Sequence, residues 1–340
     1  MRRLNVLTWH THGAYLYYLT QAPHEFYVLS KPGRPAGYSG VSGHIPWGPN
    51  VHDLPVAEAQ RQKIDLILFQ DDPQYLDDQY DILSPAQRAV PKIYLEHDPP
   101  RLNPIDERHP VTRADMLVVH CTHFNRLMWD NGAAPTRVIE HGVIKPNAKW
   151  TGELERGLVV INNASRRGRR VGFDLYQELR TKVPLDLVGM GSEECGGLGE
   201  VLHRDLPAFA GRYRFFFNPI RYTSMGLAVI ESMMIGMPIV ALATTEMASV
   251  IRDGENGIGH TDVDQLLAGM QRLLSDHDEA RRLGEAGRRA ATTRFSIEHF
   301  VADWNCAFEQ VLAQNMPRYT AQPRQISGGE SEASLSRNAL

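Results

Sequence analysis

The sequence predicts an α/β protein built from two doubly wound domains. Three observations lead there. Short apolar runs of the kind found in buried parallel strands alternate with helical periodicity, a pattern that requires a parallel sheet covered on both faces. The length of 340 residues is enough for two domains that each bury a core. A polar stretch at 144–156, with Pro146 and Gly152, separates two such series. Periodicity alone leaves several two-domain α/β folds open.

In the first series, strands are expected at 4–9, 25–29, 65–70, 92–96, 116–120 and 137–140. Helices are expected at 13–20 and 122–131, the second capped by Thr122. Residues 31–51 are rich in Gly and Pro and read as a long loop with room for one short strand, a kind of segment that tends to be functional. In the second series, strands are expected at 157–162, at 185–188, from Arg214 and at 238–243. Helices follow at 171–182, from Gly226, and at 262–275, 276–293 and 296–314. Residues 316–340 are polar, rich in Ser, Gly and Arg, and expected to be disordered. The domain division is therefore 1–145, 146–294, a last helix at 295–315, and a tail at 316–340.

Composition bounds the function. Hydrophobic residues make up 42%, charged residues 22%, and the net charge is −4, as in soluble globular proteins. There is no domain-wide basic excess, so a nucleic-acid partner is not expected. Cys121, Cys195 and Cys306 are far apart and odd in number, which suits a reducing cytoplasm better than a disulfide framework or a zinc site. The opening MRRLNVLTWHTHG reads as a first strand and not as a secretion signal, and no run approaches a membrane span of ~18–20 apolar residues. The expected setting is cytoplasmic, with peripheral contact at the inner face of a membrane left open.

Residues 214–259 are the most informative segment. An apolar strand runs into a polar turn at 218–225 and then a helix from Gly226 that holds one acid, Glu231, among apolar and small residues. A strand, turn and helix put unpaired N–H groups and the positive end of a helix dipole at one spot, which suits a phosphate. A carboxylate one to two turns inside suits a sugar hydroxyl, although a helix-surface Glu in a salt bridge is the plain alternative. Upstream, Ser165-Arg166-Arg167-Gly168-Arg169-Arg170 follows the 157–162 strand. Four guanidinium groups in five residues repel one another unless an anion sits among them, and arginine grips phosphate in bidentate fashion. A solvated basic turn is the alternative. Polar residues also gather where strands end: His10 to Gly13, Glu96-His97-Asp98, His120 to His123, and Glu140-His141-Gly142. Ligands of open α/β sheets bind at such ends. His10, His12 and His97 are conceivable metal ligands.

These motifs resemble the retaining glycosyltransferases of the GT-B fold, family 4. That family shows Glu, seven residues, then Glu, with Gly-Phe-Gly after the first and Gly-x-Pro after the second. Gly226, Glu231, Gly236, Pro238 and the DGENG turn at 253–257 match it. Thr223 stands where the first Glu belongs, and Ser224-Met225 replaces Gly-Phe. The resemblance spans roughly 5–314 and is specific from 162 to 257.

It implies two facing doubly wound, Rossmann-like domains with a cleft between them, and a final helix that crosses back onto the first domain. It implies a nucleotide diphosphate sugar as donor, a glycan or glycolipid acceptor, and a front-face reaction with retention in polysaccharide or glycolipid synthesis. Neither a metal nor a further cofactor is implied. The donor diphosphate falls to Arg166, to Arg170 (with Arg169 as runner-up) and to the turn Thr223, Ser224, Met225, Gly226, Leu227. Glu231 would hold the ribose, Gly189 the nucleobase, and Gly13 would lie close to the diphosphate. His97 would stand by the reacting sugar, and Glu246 is one of the few acids that could face the donor. Two other classes compete: a nucleotide-sugar epimerase of the same architecture and a non-catalytic nucleotide-sugar binder.

Overall fold

The structure is a computed structural model and describes residues 2–43 and 45–314. The expected tail at 316–340 lies outside the described residues. The first domain runs β1 (Asn5–Thr8), α1 (Gly13–Leu19), β2 (Glu25–Ser30), β3 (Val51–Pro55), β4 (Leu66–Phe69), α2 (Gln79–Ile82), α3 (Pro85–Arg88), β5 (Lys92–Glu96), β6 (Leu117–His120), α4 (His123–Met128) and β7 (Thr136–Val138). Its seven strands lie in the order β3-β2-β1-β4-β5-β6-β7, with every pair parallel.

The second domain runs β8 (Leu154–Val160), α5 (Ala164–Arg167), α6 (Phe173–Leu179), β9 (Leu185–Val188), α7 (Leu206–Ala210), β10 (Tyr213–Asn218), α8 (Leu227–Met234), β11 (Ile239–Leu242), α9 (Met247–Val250), β12 (Ile258–His260), α10 (Val263–Ser275) and α11 (His277–Arg294). Its five parallel strands are ordered β12-β11-β10-β8-β9. The chain closes with α12 (Ile297–Gln314).

Strands buried on both faces are apolar throughout, which is why LILF in β4 and IVAL in β11 stand out in the sequence. β3 begins where the expected loop at 31–51 ends, and no strand is expected from the sequence at 52–55. It is an edge strand that carries His52 and Asp53 and ends in Pro55, so it lacks the apolar run of a central strand. Asp53 also fastens the preceding loop, accepting from Ser30 Oγ (2.9 Å), the Val41 N–H (2.8 Å) and Arg34. Burial alone would raise its carboxyl, but these partners outweigh that and hold it below its ordinary value. The helices α2, α3, α5, α7 and α9 are too short to show a helical period.

α12 lies on the first domain. Phe300, Trp304 and Phe308 are buried along it. Phe300 meets Tyr15 of α1 edge-on at 5.5 Å, and Phe308 meets His24 at 5.2 Å. One core runs from Val6 and Leu68 through Trp304 to Phe216 and Met233, so the two sheets share a hydrophobic interior. Strand order reverses direction at β1/β4 in the first sheet and at β8/β10 in the second, and ligands of open sheets lodge beyond such points.

Candidate active site

Both reversal points open onto one cleft of about 570 Å³, within the ~300–1,000 Å³ of small-molecule sites. The first domain lines it with His12 and Tyr15 after β1, His97, Asp98 and Arg101 after β5, and His141 after β7. The second contributes Ile161 and Asn162 after β8, Arg167 and Arg170, and the turn from Thr223 to Ala228.

The four arginines sort into two pairs. Arg166 turns outward and pairs with Glu194 at 2.8 Å, and Arg169 pairs with Asp174 at 2.7 Å. Arg167 and Arg170 line the cleft, and neither forms an ion pair with a carboxylate among the described residues. Burial, followed by the charge of Arg170, lowers the Arg167 guanidinium from its ordinary value. Two cations held close, neither of them in an ion pair, favour an anion between them. The structure thus places Arg170 on the cleft and puts Arg167 where the sequence reading had Arg166. Gly172 holds the segment there: its φ is +76°, and a Cβ would run into the Pro219 carbonyl after β10. The Arg170 carbonyl also accepts from the N–H groups of Arg221 (3.0 Å) and Tyr222 (3.1 Å), which ties the arginines to the turn.

That turn is clasped by the other domain at three points. Thr223 Oγ1 donates to Asp98 Oδ1 at 3.0 Å. Asn125 Nδ2 donates to Ser224 Oγ at 3.2 Å. His141 Nε2 donates to the Met225 carbonyl at 2.9 Å. Gly226 caps α8 with φ −79°, and a Cβ there would meet nothing within 4 Å. The first N–H groups of α8 therefore face open cleft beside Leu227, where an anion gains from them and from the dipole.

Of the other residues named from sequence, His97 lines the cleft with its nitrogens already engaged. Nε2 faces Gln70 Oε1 at 3.0 Å and Nδ1 faces Cys121 Sγ at 3.8 Å. Burial, with His12 and His141 nearby, holds it neutral. His12 lies against His97, the ring centroids 4.2 Å apart and the planes tilted by 58°. His10 Nδ1 lies 2.6 Å from the Gly40 carbonyl, turned away from the other two. Among the described residues no group of three or more His, Cys, Asp or Glu is placed to hold a metal ion. Gly13 is packed against its own domain: a Cβ would lie 2.7 Å from Ile45 Cδ1 and 2.8 Å from His10 Nε2. Gly189, at φ +135°, lies against the Ile161 carbonyl and so supports the cleft floor from behind.

Two acids sit elsewhere than expected. Glu231 is buried between the domains, where it accepts from Tyr18 Oη and His203 Nε2, each at 2.7 Å. It lies a turn beyond Leu227 and Ala228 on α8, beside Tyr18 of α1. Both of the bonds it accepts fall on Oε1, and Glu231 lines a second cavity, of about 350 Å³, rather than the cleft. Burial lowers His203, but its bond to Glu231 outweighs this and raises it. Glu246 is held by the Phe124 N–H (3.0 Å), Ser249 Oγ (2.7 Å) and Arg294 (3.0 Å), away from the cleft. The carboxylate that does line the cleft is Asp98. Its position next to His97 at a strand end was visible in the sequence, but its contact with Thr223 was not.

Two facing doubly wound domains with the site between them are the GT-B fold. Residues 173–276 match the family described as Glycosyl transferases group 1. The chain is 31% identical over 128 residues to the MMP α-(1→4)-mannosyltransferase of Mycolicibacterium hassiacum. That match covers 35% of this chain and 31% of the relative, so the chain spans about a third of the length of that curated protein. Among solved structures, sucrose-phosphate synthase from Thermosynechococcus elongatus covers 92% of this chain, and the likeness takes in 100% of that one (TM-score 0.69, 18% identity). Anabaena HepE in complex with UDP covers 91%, again with 100% of its own length (TM-score 0.66, 15% identity). The chain thus has the fold of GT-B glycosyltransferases, and its residues 173–276 are similar to the group 1 glycosyltransferases. No helix among the described residues is long and apolar enough to cross a membrane.

Proposed function

We propose that this protein transfers a glycosyl group from a nucleotide diphosphate sugar to an acceptor hydroxyl, with retention at the anomeric carbon. The observation that carries the reading is the convergence of Arg167, Arg170 and the α8 N-terminus on one cleft, with neither arginine in an ion pair among the described residues. These groups bind the diphosphate and stabilise the charge that grows on it as the glycosidic bond breaks. A departing phosphate oxygen takes the acceptor's proton. The charge is carried by arginine and backbone, so the reaction proceeds without added metal ion. The similarity to a mannosyltransferase supports a mannosyl donor as the first to test, and the structural likeness to a UDP complex supports a nucleoside diphosphate in the cleft. The acceptor is a glycan or glycolipid hydroxyl bound by the first domain.

The test is a thermal-shift screen of UDP-, GDP- and dTDP-sugars, followed by turnover with and without acceptor extract. A bound nucleotide raises stability by RT ln(1 + [L]/Kd), about 2.7 kcal/mol at a hundredfold excess over Kd. Donor loss only with acceptor supports transfer. Loss without acceptor favours an epimerase, tight binding without turnover favours a binder, and no shift from any nucleotide overturns the reading.

Gly226 gives a sharper check. The protein leaves its Cα open and its φ suits any residue. Gly226→Ala is therefore expected to change unfolding free energy by less than about 1 kcal/mol, while the methyl group crowds the diphosphate and lowers nucleotide affinity. Equal affinities in calorimetric titration would remove the α8 N-terminus from the site.

A further inference from the structure

We propose that Asp98 binds the hydroxyls of the transferred sugar, supplying from the opposite wall of the cleft the acid that Thr223 lacks. This rests on the donor reading above and extends it to the sugar.

Four observations carry it. Asp98 is the one acidic residue among the described residues that line the cleft. It touches residue 223 itself, through the 3.0 Å bond from Thr223 Oγ1, although it belongs to the other domain. It sits across from the arginines, close enough to Arg167 to act on that group's charge. A donor whose diphosphate lies on Arg167 and Arg170 would bring its sugar towards this wall. Finally, the carboxylate is fixed in place: Arg101 pairs with it, and its backbone N–H donates to Glu96 Oε1 at 2.9 Å.

The chemistry agrees. An ionised carboxylate offers about four acceptor positions. Thr223 and Arg101 use two, which leaves capacity for a pair of sugar hydroxyls. Burial would raise the Asp98 carboxyl, but Arg101, Thr223 and His12 together hold it below its ordinary value. It is thus an acceptor of hydrogen bonds and a weak base. The identity of residue 223 follows from the same contact: a glutamate there would bring a second carboxylate against Asp98, and two like charges that close cannot both stay ionised cheaply. Threonine keeps the contact and gives Asp98 a donor.

The test uses the full chain, nucleoside diphosphates and the matching nucleotide sugars. Asp98→Asn is expected to bind the bare nucleoside diphosphate as the parent does, which also shows that it is folded. Its affinity or kcat/KM for the nucleotide sugar should fall about 10- to 100-fold, the size of a hydrogen bond to a charged group. Asp98→Ala should lose as much. Adding Thr223→Glu to Asp98→Ala should restore most of that loss by returning an acid from the other wall, whereas Thr223→Glu alone should impair the enzyme. If the nucleoside diphosphate binds and Asp98→Asn handles the nucleotide sugar like the parent, the inference is overturned. A double variant no better than Asp98→Ala also counts against it. If no nucleoside diphosphate binds the parent, the donor reading fails first and takes this one with it.

Discussion

Replacing Arg167 with alanine is expected to weaken nucleoside diphosphate binding about 10- to 100-fold, with Arg170→Ala close behind. The figure is that of a charge-assisted hydrogen bond to phosphate, about 1.5–3 kcal/mol. Arg166→Ala and Arg169→Ala are expected to change it less than about threefold, because each arginine answers an exposed carboxylate, a contact worth ~0–1 kcal/mol. Arg167→Lys should recover only part of the loss, since an ammonium cannot reproduce the two-pronged grip. Stability should move the other way. Arg167 is half-buried with no carboxylate partner, so alanine there removes a desolvation cost and should leave the melting temperature unchanged or slightly raised. Titration calorimetry and thermal melts on the four single variants decide it. A loss at Arg166 equal to that at Arg167 would mean that the arginines act as a diffuse field and not as a site.

The arginine cluster shows how far sequence alone reaches. Its place after a strand and before a helix was legible, and so was its need for an anion. Which arginines face the cleft was not. The signal was present in the spacing: residues 166 and 169 are three apart, as are 167 and 170, so a helical turn sorts them onto two faces. Seeing which face is the outer one requires Glu194 and Asp174 in place. The central strands were legible because burial on both faces demands apolar runs, and β3 escaped because an edge strand is under no such demand.

The hidden parts of the site are contacts between domains. Glu231 meets Tyr18 across 213 residues of sequence, and Thr223 meets Asp98 across 125. No local pattern encodes such a pairing. Thr223 looked like a lost acid for that reason, and only the docking of the two domains shows a carboxylate beside it.

The second large effect is acid sensitivity. The fold buries several histidines in neutral form. Burial pushes His141 down to about 4 and His120 to about 3, and it lowers His97 and His12 as well. His141 and His120 share one geometry. Nε2 donates, to the Met225 carbonyl or to Asn131 Oδ1, and Nδ1 is buried without a partner among the described residues. A proton added at Nδ1 would create a charged donor with nothing to accept it. Unfolded, each ring would titrate near 6.5. The folded values lie lower, so this stability is fully present above pH 6.5 and is lost as pH falls towards the folded values. Each such group costs on the order of 1.4 kcal/mol per pH unit, and these two together about 5 kcal/mol between pH 6.5 and 4.5. That is comparable with the whole stability of a typical domain, ~5–15 kcal/mol. His203 runs the other way. Glu231 raises it, so its contribution is intact below 6.5 and fades as pH rises through its folded value; it does not offset the acid loss. The protein is therefore expected to unfold in mild acid, near pH 5. Urea unfolding from pH 7.5 to 4.5 measures this directly. His141→Gln can keep a donor for the Met225 carbonyl and cannot take up a proton, so it should flatten the acid limb by about one proton's slope, ~1.4 kcal/mol per pH unit. Parallel curves for parent and variant would place the acid sensitivity elsewhere. Because His141 holds the turn that carries Gly226, nucleotide binding in the parent should fail over the same pH range, and the variant should extend it downward.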